Sequence, residues 1–467
     1  MHPLVERALA GARPVPYWLD QAGAPARAPV LHGTTTADLA VVGGGFTGLW
    51  TALLAKERDP GRSVVLLEGR RAGWAASGRN GGFCSASLTH GLANGVERFG
   101  AEAGHLERLG RQNLDEIGEA IDRYGIDCGF ERTGELSVAT KQWQVPGLAE
   151  NAREGCRVTG VSPLLLSEAA VRAQLDSPTY LGGVWDTRGC AMLDPARLAW
   201  GLRRACLGAG VRIHEHTPVT AVEVEGSGVR LVTPQGAVHA ARAALGTGAF
   251  APLLRRLRHY LVPVYDYVLM TEPLTTAQLV SVGWRNRQGV ADRGNQFHYY
   301  RLSADNRILW GGYDAVYYNG GRITARQDQR PATFRRLARH FFATFPQLEE
   351  VRFTHSWGGV IDTCARFCAF FGTARGGRLA YAAGYTGLGV GASRFAARVM
   401  LDLLGGQPTA LTELSMVAGK PVPFPPEPLR SAVIQLTRAS LARADRRDGR
   451  RDPWLRTLDH LGLGFDS

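Results

Sequence analysis

Six residues, Gly43-Gly44-Gly45-Phe46-Thr47-Gly48, constrain this chain more than any other segment. They lie between the apolar run Asp38–Val42, which predicts a strand, and a stretch from Phe46 to Lys56 that predicts a helix. A second buried strand is predicted at Val64–Leu67, completing a βαβ unit with the spacing of a parallel, doubly wound sheet. Gly43 permits the tight turn, Gly45 lets the backbone approach a pyrophosphate, and Gly48 allows close helix–strand packing. The helix N-terminus then offers free N–H groups and its dipole to negative charge. Glu68 ends the second strand about 20 residues beyond Gly48, where a carboxylate accepts hydrogen bonds from a ribose. The same acid disfavours a 2′-phosphate, so NADP does not suit this site. NAD and FAD both stay open at this point.

Bulk properties narrow the frame. At 467 residues the chain exceeds the roughly 250–300 at which single cores stop growing, so two intertwined domains are expected. A hydrophobic content of 45% with 21% charged residues excludes a disordered chain. The net charge of +12 comes almost wholly from arginine, because Lys56, Lys141 and Lys420 are the only lysines. Those arginines are scattered, densest from Arg443 to Arg451, and form no basic stripe with interleaved aromatics, so no nucleic-acid partner is expected. Seven irregularly spaced cysteines do not make a disulfide framework. Cys364 and Cys368 form a lone CxxxC without a second pair, so no metal is expected. The N-terminus lacks the pattern of an export signal, and no run of 18 apolar residues predicts a membrane span. A cytoplasmic protein is the expectation.

Along the chain, residues 1–35 read as an extended lead-in. A strand is predicted at Gly134–Ala139 and a helix at Pro195–Ala209, leading into a strand at Val211–Glu215. Val219–Val224, Val229–Val232 and Val238–Ala240 suggest a β-meander. Further strands are predicted at Val264–Thr271, Phe297–Arg301 and Ile308–Gly312, and a helix at Gly391–Leu404. The Pro-rich segment 421–428 reads as a rigid spacer before a basic amphipathic tail.

Shortly after Glu68, Gly69 and Arg70 comes Gly73-Trp74-Ala75-Ala76-Ser77-Gly78-Arg79-Asn80-Gly81-Gly82. Small residues here let backbone N–H groups reach a ligand, and Ser77, Arg79 and Asn80 supply polar contacts. With this loop the sequence resembles the D-amino acid oxidase (DAO) family of FAD-dependent flavoproteins, which includes glycine, sarcosine and γ-glutamylputrescine oxidases. Three further segments match in the family's order. GVRIHEHTPVTAVE (210–223) resembles the unit in which a Val backbone contacts adenine, at Val219 here. ARAALGTGAF (241–250) resembles the strand and turn passing the cofactor, with Gly246, Thr247 and Gly248. GYTGLGVGASRFA (384–396) resembles the late motif facing the flavin pyrimidine ring, with Gly384, Gly387, Leu388, Gly389 and Val390. A helix N-terminus there stabilises negative charge on a reduced flavin.

The resemblance implies FAD held by these segments, together with Ala76, Ser77, Gly81, Gly82 and Trp357. It also exposes three departures. Where the amino acid oxidases place an Arg after a Trp-x-Gly turn to bind the substrate carboxylate, the segment Trp357-Gly358-Gly359-Val360-Ile361 has Ile361. Gly387 stands in place of a second basic residue. Sarcosine oxidases activate oxygen through a Lys, but the matching segment Arg307-Ile308-Leu309-Trp310-Gly311 has none. Their flavin-tethering Cys has no counterpart near Gly358, so FAD is expected to be non-covalent, with Cys84 a buried structural residue.

Candidate substrate-pocket residues are His298, Tyr299, Tyr300 and Arg301 on one strand, with His298 and Tyr300 sharing a face. Trp310, Tyr313 and Asp362 are further candidates, because aromatic faces and a carboxylate suit a cationic amine. His298, Tyr300 and Asp362 are the catalytic candidates. The expected architecture is α/β + β. It combines a doubly wound, Rossmann-like FAD domain with β-meander, built from 36–95, 189–255 and 355–405, with a substrate domain from 96–188 and 256–354. The substrate domain is expected to carry a mixed or antiparallel sheet, and 406–467 to form the tail. The expected reaction is oxidation of an amine C–N bond by hydride transfer to flavin N5, with the imine then hydrolysed and electrons passed to O2 or a carrier. An α-amino acid oxidase or dehydrogenase of the same family, a flavin monooxygenase, and a flavin-binding protein without turnover stay open beside it.

Overall fold

In the computed structural model, which describes residues 3–463, two large sheets carry the molecule. The first runs in the order Phe370–Ala374, Leu379–Ala383, Gly236–Leu245, Gly33–Val42, Val64–Leu67, Arg212–His214. Its central strands are parallel. The sequence reason is plain: Ala40, Val41 and all of Val64–Leu67 are buried, and such unbroken apolar runs suit strands covered on both faces. One face packs on the helices Phe46–Arg58, Pro195–Gly208 and Gly389–Gly405, with Leu49, Leu53, Leu202 and Phe395 at zero to one percent exposure. The other face packs on Val222, Val229 and Leu231 of the hairpin Ala221–Glu225/Gly228–Thr233, and on Leu254 to Leu261. The predicted β-meander is thus present, its last strand extended into the parallel sheet as Gly236–Leu245.

The second sheet has nine strands and is mostly antiparallel, centred on Val262–Thr271, Ile308–Gly312 and His298–Leu302. It packs on the helix Pro331–Thr344 through Tyr267, Tyr300, Trp310, Phe341 and Phe345.

Two expectations need correction. The strand Phe353–Thr363 was expected with the FAD domain. It pairs instead along Val262–Thr271, from Val262 opposite Thr363 to Thr271 opposite Phe353, and so belongs to the second sheet. Its alternation puts Phe353 and Trp357 inside that sheet's cores, and the chain returns to the first sheet only at Phe370. The lead-in is not uniformly extended either: Pro3–Leu9 is a helix that buries Val5 and Ala8 against Pro331–Thr344, and Glu6 pairs with Arg335 at 2.9 Å. No helix among the described residues is long and apolar enough to cross a membrane.

Candidate functional site

Where the first sheet's parallel strands end, the chain makes two turns that face each other. Gly246 N–H donates to Val42 O at 2.9 Å, and Gly43 sits at φ +106°. A Cβ on Gly43 would lie 2.4 Å from Gly246 O, and one on Gly48 would lie 1.8 Å from Gly43 O. Only glycine fits either place. The strand-end crevice so formed opens into a cavity of about 1690 Å3 that runs between the two sheets. That exceeds the roughly 300–1,000 Å3 of an ordinary small-molecule pocket, so a dinucleotide and a substrate fit together.

The cavity wall contains Gly43, Gly45, Phe46, Thr47, Glu68, Gly69, Arg70, Ala76, Ser77, Arg79, Asn80, Gly81, Val219, Gly246, Thr247 and Gly248. Gly387, Leu388, Gly389 and Val390 line it from the late motif. Segments far apart in sequence are therefore brought together by the sheet order. Four expected contacts are not on the wall: Gly48, Gly82, Trp357 and Gly384. Each supports a neighbour that is. Gly48 lets the helix meet the turn, and Gly82 lies against Leu193 O, where its Cβ would come to 2.1 Å. Trp357 Nε1 donates to Arg79 O at 2.8 Å, and Gly384 N–H donates to Asp362 Oδ2 at 2.7 Å.

Glu68 is nearly fully buried, and its carboxylate accepts from Gly44 N (2.6 Å), Arg70 N (2.7 Å) and Trp74 Nε1 (3.0 Å). Burial pushes this carboxyl above its ordinary value and the three donors oppose that shift. Ser77 Oγ accepts from Phe46 N at 2.9 Å, docking the second loop on the helix N-terminus. The polar side chains expected to reach the cofactor also hold their own loop. Arg79 pairs with Asp328 at 2.5 Å, while Asn80 donates to Ala76 O and accepts from Gly82 N. Thr47 Oγ1 donates to Tyr385 OH at 2.8 Å, joining the first glycine motif to the last. Gly387, at φ +95°, has nothing within 4 Å of where a Cβ would stand. The backbone cradle, the buried acid and the N-terminus of the helix Gly389–Gly405 on the wall together fit FAD. Gly43, Gly45, Glu68, Val219, Gly246 and the 387–390 turn are the residues that would hold it.

At the other end of the cavity, strand alternation decides which aromatics matter. Tyr299 lines the cavity and His298 and Tyr300 do not, correcting the expectation for both. The face shared by His298 and Tyr300 points toward Pro331–Thr344. There His298 Nδ1 meets Asp292 at 2.6 Å, and its Nε2 meets His340 at 2.9 Å. Tyr300 OH meets Tyr180 OH at 2.6 Å, with its ring 4.5 Å from that of Trp310. Tyr299 donates instead to Asp266, a carboxyl that burial pushes up to about 6 against the hydrogen bonds from Tyr299 and Tyr267 N–H. Gly81 and Gly311 leave room for this ring: a Cβ would approach it to 2.6 Å and 2.7 Å respectively. Asp266 was missed because an acid inside an apolar strand carries no local signal; only the fold, which brings Tyr299 from another strand of the same sheet onto it, exposes it. Asp362 does line the cavity, but its carboxylate is committed to Gly384 N–H, and burial raises it to about 6. Its visible task is to shape the late turn. Glu135 also faces the cavity, raised to about 7 by burial and then by Asp186, with the Cys190 thiol opposing.

Ile361 and Gly387 both line the cavity. Arg301 and Arg366 do not line it. Arg301 is spent on the carbonyls of Gly82, Leu193 and Leu302, and Arg366 on those of Ala369, Met416 and Gly419. Cys84 is wholly buried in the helix-side core, with its thiol pushed up to about 12 by burial.

Comparison with known proteins agrees with this cradle. The model of the FAD dependent oxidoreductase family (DAO) matches residues 38–403. The chain is 33% identical over 390 residues to the gamma-glutamylputrescine oxidoreductase of Escherichia coli K12, spanning 80% of this chain and 85% of that protein. The glycine oxidase structure from Geobacillus kaustophilus superposes with a TM-score of 0.67 at 21% identity, covering 83% of this chain and all of that one, which is a likeness of fold. With its glycine turns, its buried Glu68 and its late motif on one cavity wall, the chain belongs to the DAO family of FAD-dependent oxidoreductases.

Proposed function

We propose that this enzyme oxidises the C–N bond of an amine that carries no α-carboxylate. The observation that carries the reading is the pair Ile361 and Gly387 on the cavity wall, with Arg301 and Arg366 both turned away and bonded to backbone carbonyls. A buried carboxylate without a paired cation costs several kcal/mol, which translates into orders of magnitude in affinity or rate. An apolar Ile suits a methylene chain instead.

Bound FAD supplies the hydride acceptor, and the protein supplies position and a dry, shaped cavity. The Tyr299 hydroxyl, held by Asp266, gives the site an oriented dipole beside the loop that carries Gly81. At neutral pH an Asp266 carboxyl raised to about 6 is mostly ionised, so it accepts a hydrogen bond from the Tyr299 hydroxyl and orients the ring. Asp362 keeps the 384–387 turn in its left-handed shape by accepting from Gly384 N–H, which leaves Gly387 open to the cavity.

The test is stopped-flow reduction under anaerobic conditions with putrescine derivatives, N-methyl amines, glycine, sarcosine and D-alanine. Amines without an α-carboxylate are expected to bleach the flavin at least tenfold faster. An α-amino acid that bleaches it fastest would overturn the reading.

A further inference from the structure

The cavity does not stop at the second sheet. Its outer wall is made by residues 422–463, beyond the family-matched region that ends at residue 403. The helix Leu429–Asp445 presents Val433, Thr437 and Leu441, with Ile434 and Arg438 beside them, as one stripe along the cavity. Three attachments hold it there. Gln435 Nε2 donates to Tyr317 O at 3.1 Å, Asp445 accepts from Asn295 N (2.9 Å) and Gln296 N (3.0 Å), and Phe424 N–H donates to His259 O at 2.7 Å.

Arg438 is the cation of this stripe. Its Nη1 donates to Gln435 Oε1 at 2.9 Å, while its buried Nε has no acceptor among the described residues. The carboxylate facing it is Asp314, already engaged by Arg336 at 2.6 Å, Thr333 at 2.7 Å and Arg330 at 3.2 Å. Three guanidiniums thus face one carboxylate. Burial lowers the Arg438 guanidinium below its usual range; Asp314 opposes this, and Arg330 and Arg336 add to it. A cation so placed is stabilised by an anion that enters with a ligand.

We propose that Arg438 is a specificity-determining residue that receives a carboxylate at the end of the substrate remote from the oxidised C–N bond. The inner wall carries the apolar Ile361 where the amine end would lie, whereas the outer wall carries the Arg438 guanidinium. On the same helix, Val433, Ile434 and Leu441 offer an apolar lining to a methylene chain. This rests on the amine-oxidation reading and adds the chemistry of the far end.

The experiment compares 6-aminohexanoate with hexylamine on the FAD-loaded full chain, as wild type, Arg438→Met and Arg438→Lys. FAD content per chain checks that each variant folds. The apparent Kd and limiting rate of anaerobic flavin reduction are read for each pair. Wild type is expected to bind 6-aminohexanoate more tightly than hexylamine. Arg438→Met should weaken the acid about tenfold more than the amine, in Kd rather than limiting rate, and Arg438→Lys should recover part of the loss. Equal weakening of both compounds, or no change in either, overturns the assignment. If neither compound bleaches the flavin, amine oxidation of such chains is the reading that fails; the Arg438 contact is then judged by calorimetric binding of the same pair, where the absence of a carboxylate-dependent loss overturns it.

Discussion

The two ends of the cavity are built in different ways. At the dinucleotide end the working groups are backbone turns, and the residues that matter are those with no side chain: Gly43, Gly45, Gly246 and Gly387. At the substrate end they are side chains delivered by strands of the second sheet, Tyr299, Asp266, Glu135 and Ile361 among them. A backbone cradle depends on local turn geometry and so leaves a periodic signature. A side-chain wall depends on which strand lies next to which, and on which of two faces each residue takes.

The strongest way to break this contrast is Gly48→Val. Its Cβ would meet Gly43 O at 1.8 Å, with Val41 Cγ1 at 3.3 Å, so overpacking of about 3 kcal/mol or more is expected, with loss of FAD. The ratio of flavin to protein absorbance and the melting temperature check this; near-normal values would show that the turn tolerates a side chain.

Glu68→Gln is next. It keeps shape but places an NH2 among the donors Gly44 N–H, Arg70 N–H and Trp74 Nε1, and it removes the charge expected to accept ribose hydroxyls. A loss of roughly 1–3 kcal/mol in FAD affinity is expected, read by titrating the apoprotein with FAD. Retention equal to wild type would mean that the acid serves only its own loop.

Asp266→Asn sharpens the substrate end. The Asp266 carboxyl is raised in the folded state, to about 6 from an unfolded value near 3.8, so the stability of the native form is greatest below the lower value. It declines as pH rises through about 6. The melting temperature of Asp266→Asn relative to wild type should therefore climb between pH 4 and 7. A difference that is flat across that window would remove Asp266 from the titrating groups.

The smallest effect is expected from Cys84→Ala. The thiol is enclosed and pushed up to about 12, so denaturation of either protein should release FAD into the supernatant. Flavin retained in the wild-type pellet and released from the variant would identify a covalent link.

Much of the dinucleotide end was legible in advance, because a turn that needs glycine at positions 43, 45 and 48, flanked by apolar runs and followed by an acid, is written in consecutive residues. Val219, Gly246 and the 384–390 segment were reached instead through their resemblance to strand-and-turn units of the DAO family. His298 and Tyr300 were read as pocket residues because their shared face is visible in the alternation. Which way that face points is not: it is set by the helix Pro331–Thr344, whose His340 and Phe341 cover it and leave Tyr299 to the cavity. The same holds for the strand Phe353–Thr363, assigned by order along the chain to one sheet and paired in space with the other. Asp266 and Arg438 gave no local sign at all, since a single charge in an apolar strand or a basic tail acquires meaning only from its neighbours. Turn chemistry is local, so this sequence by itself specified the FAD cradle. Side-chain direction is settled by packing between distant segments, so the substrate wall emerged only with the folded chain.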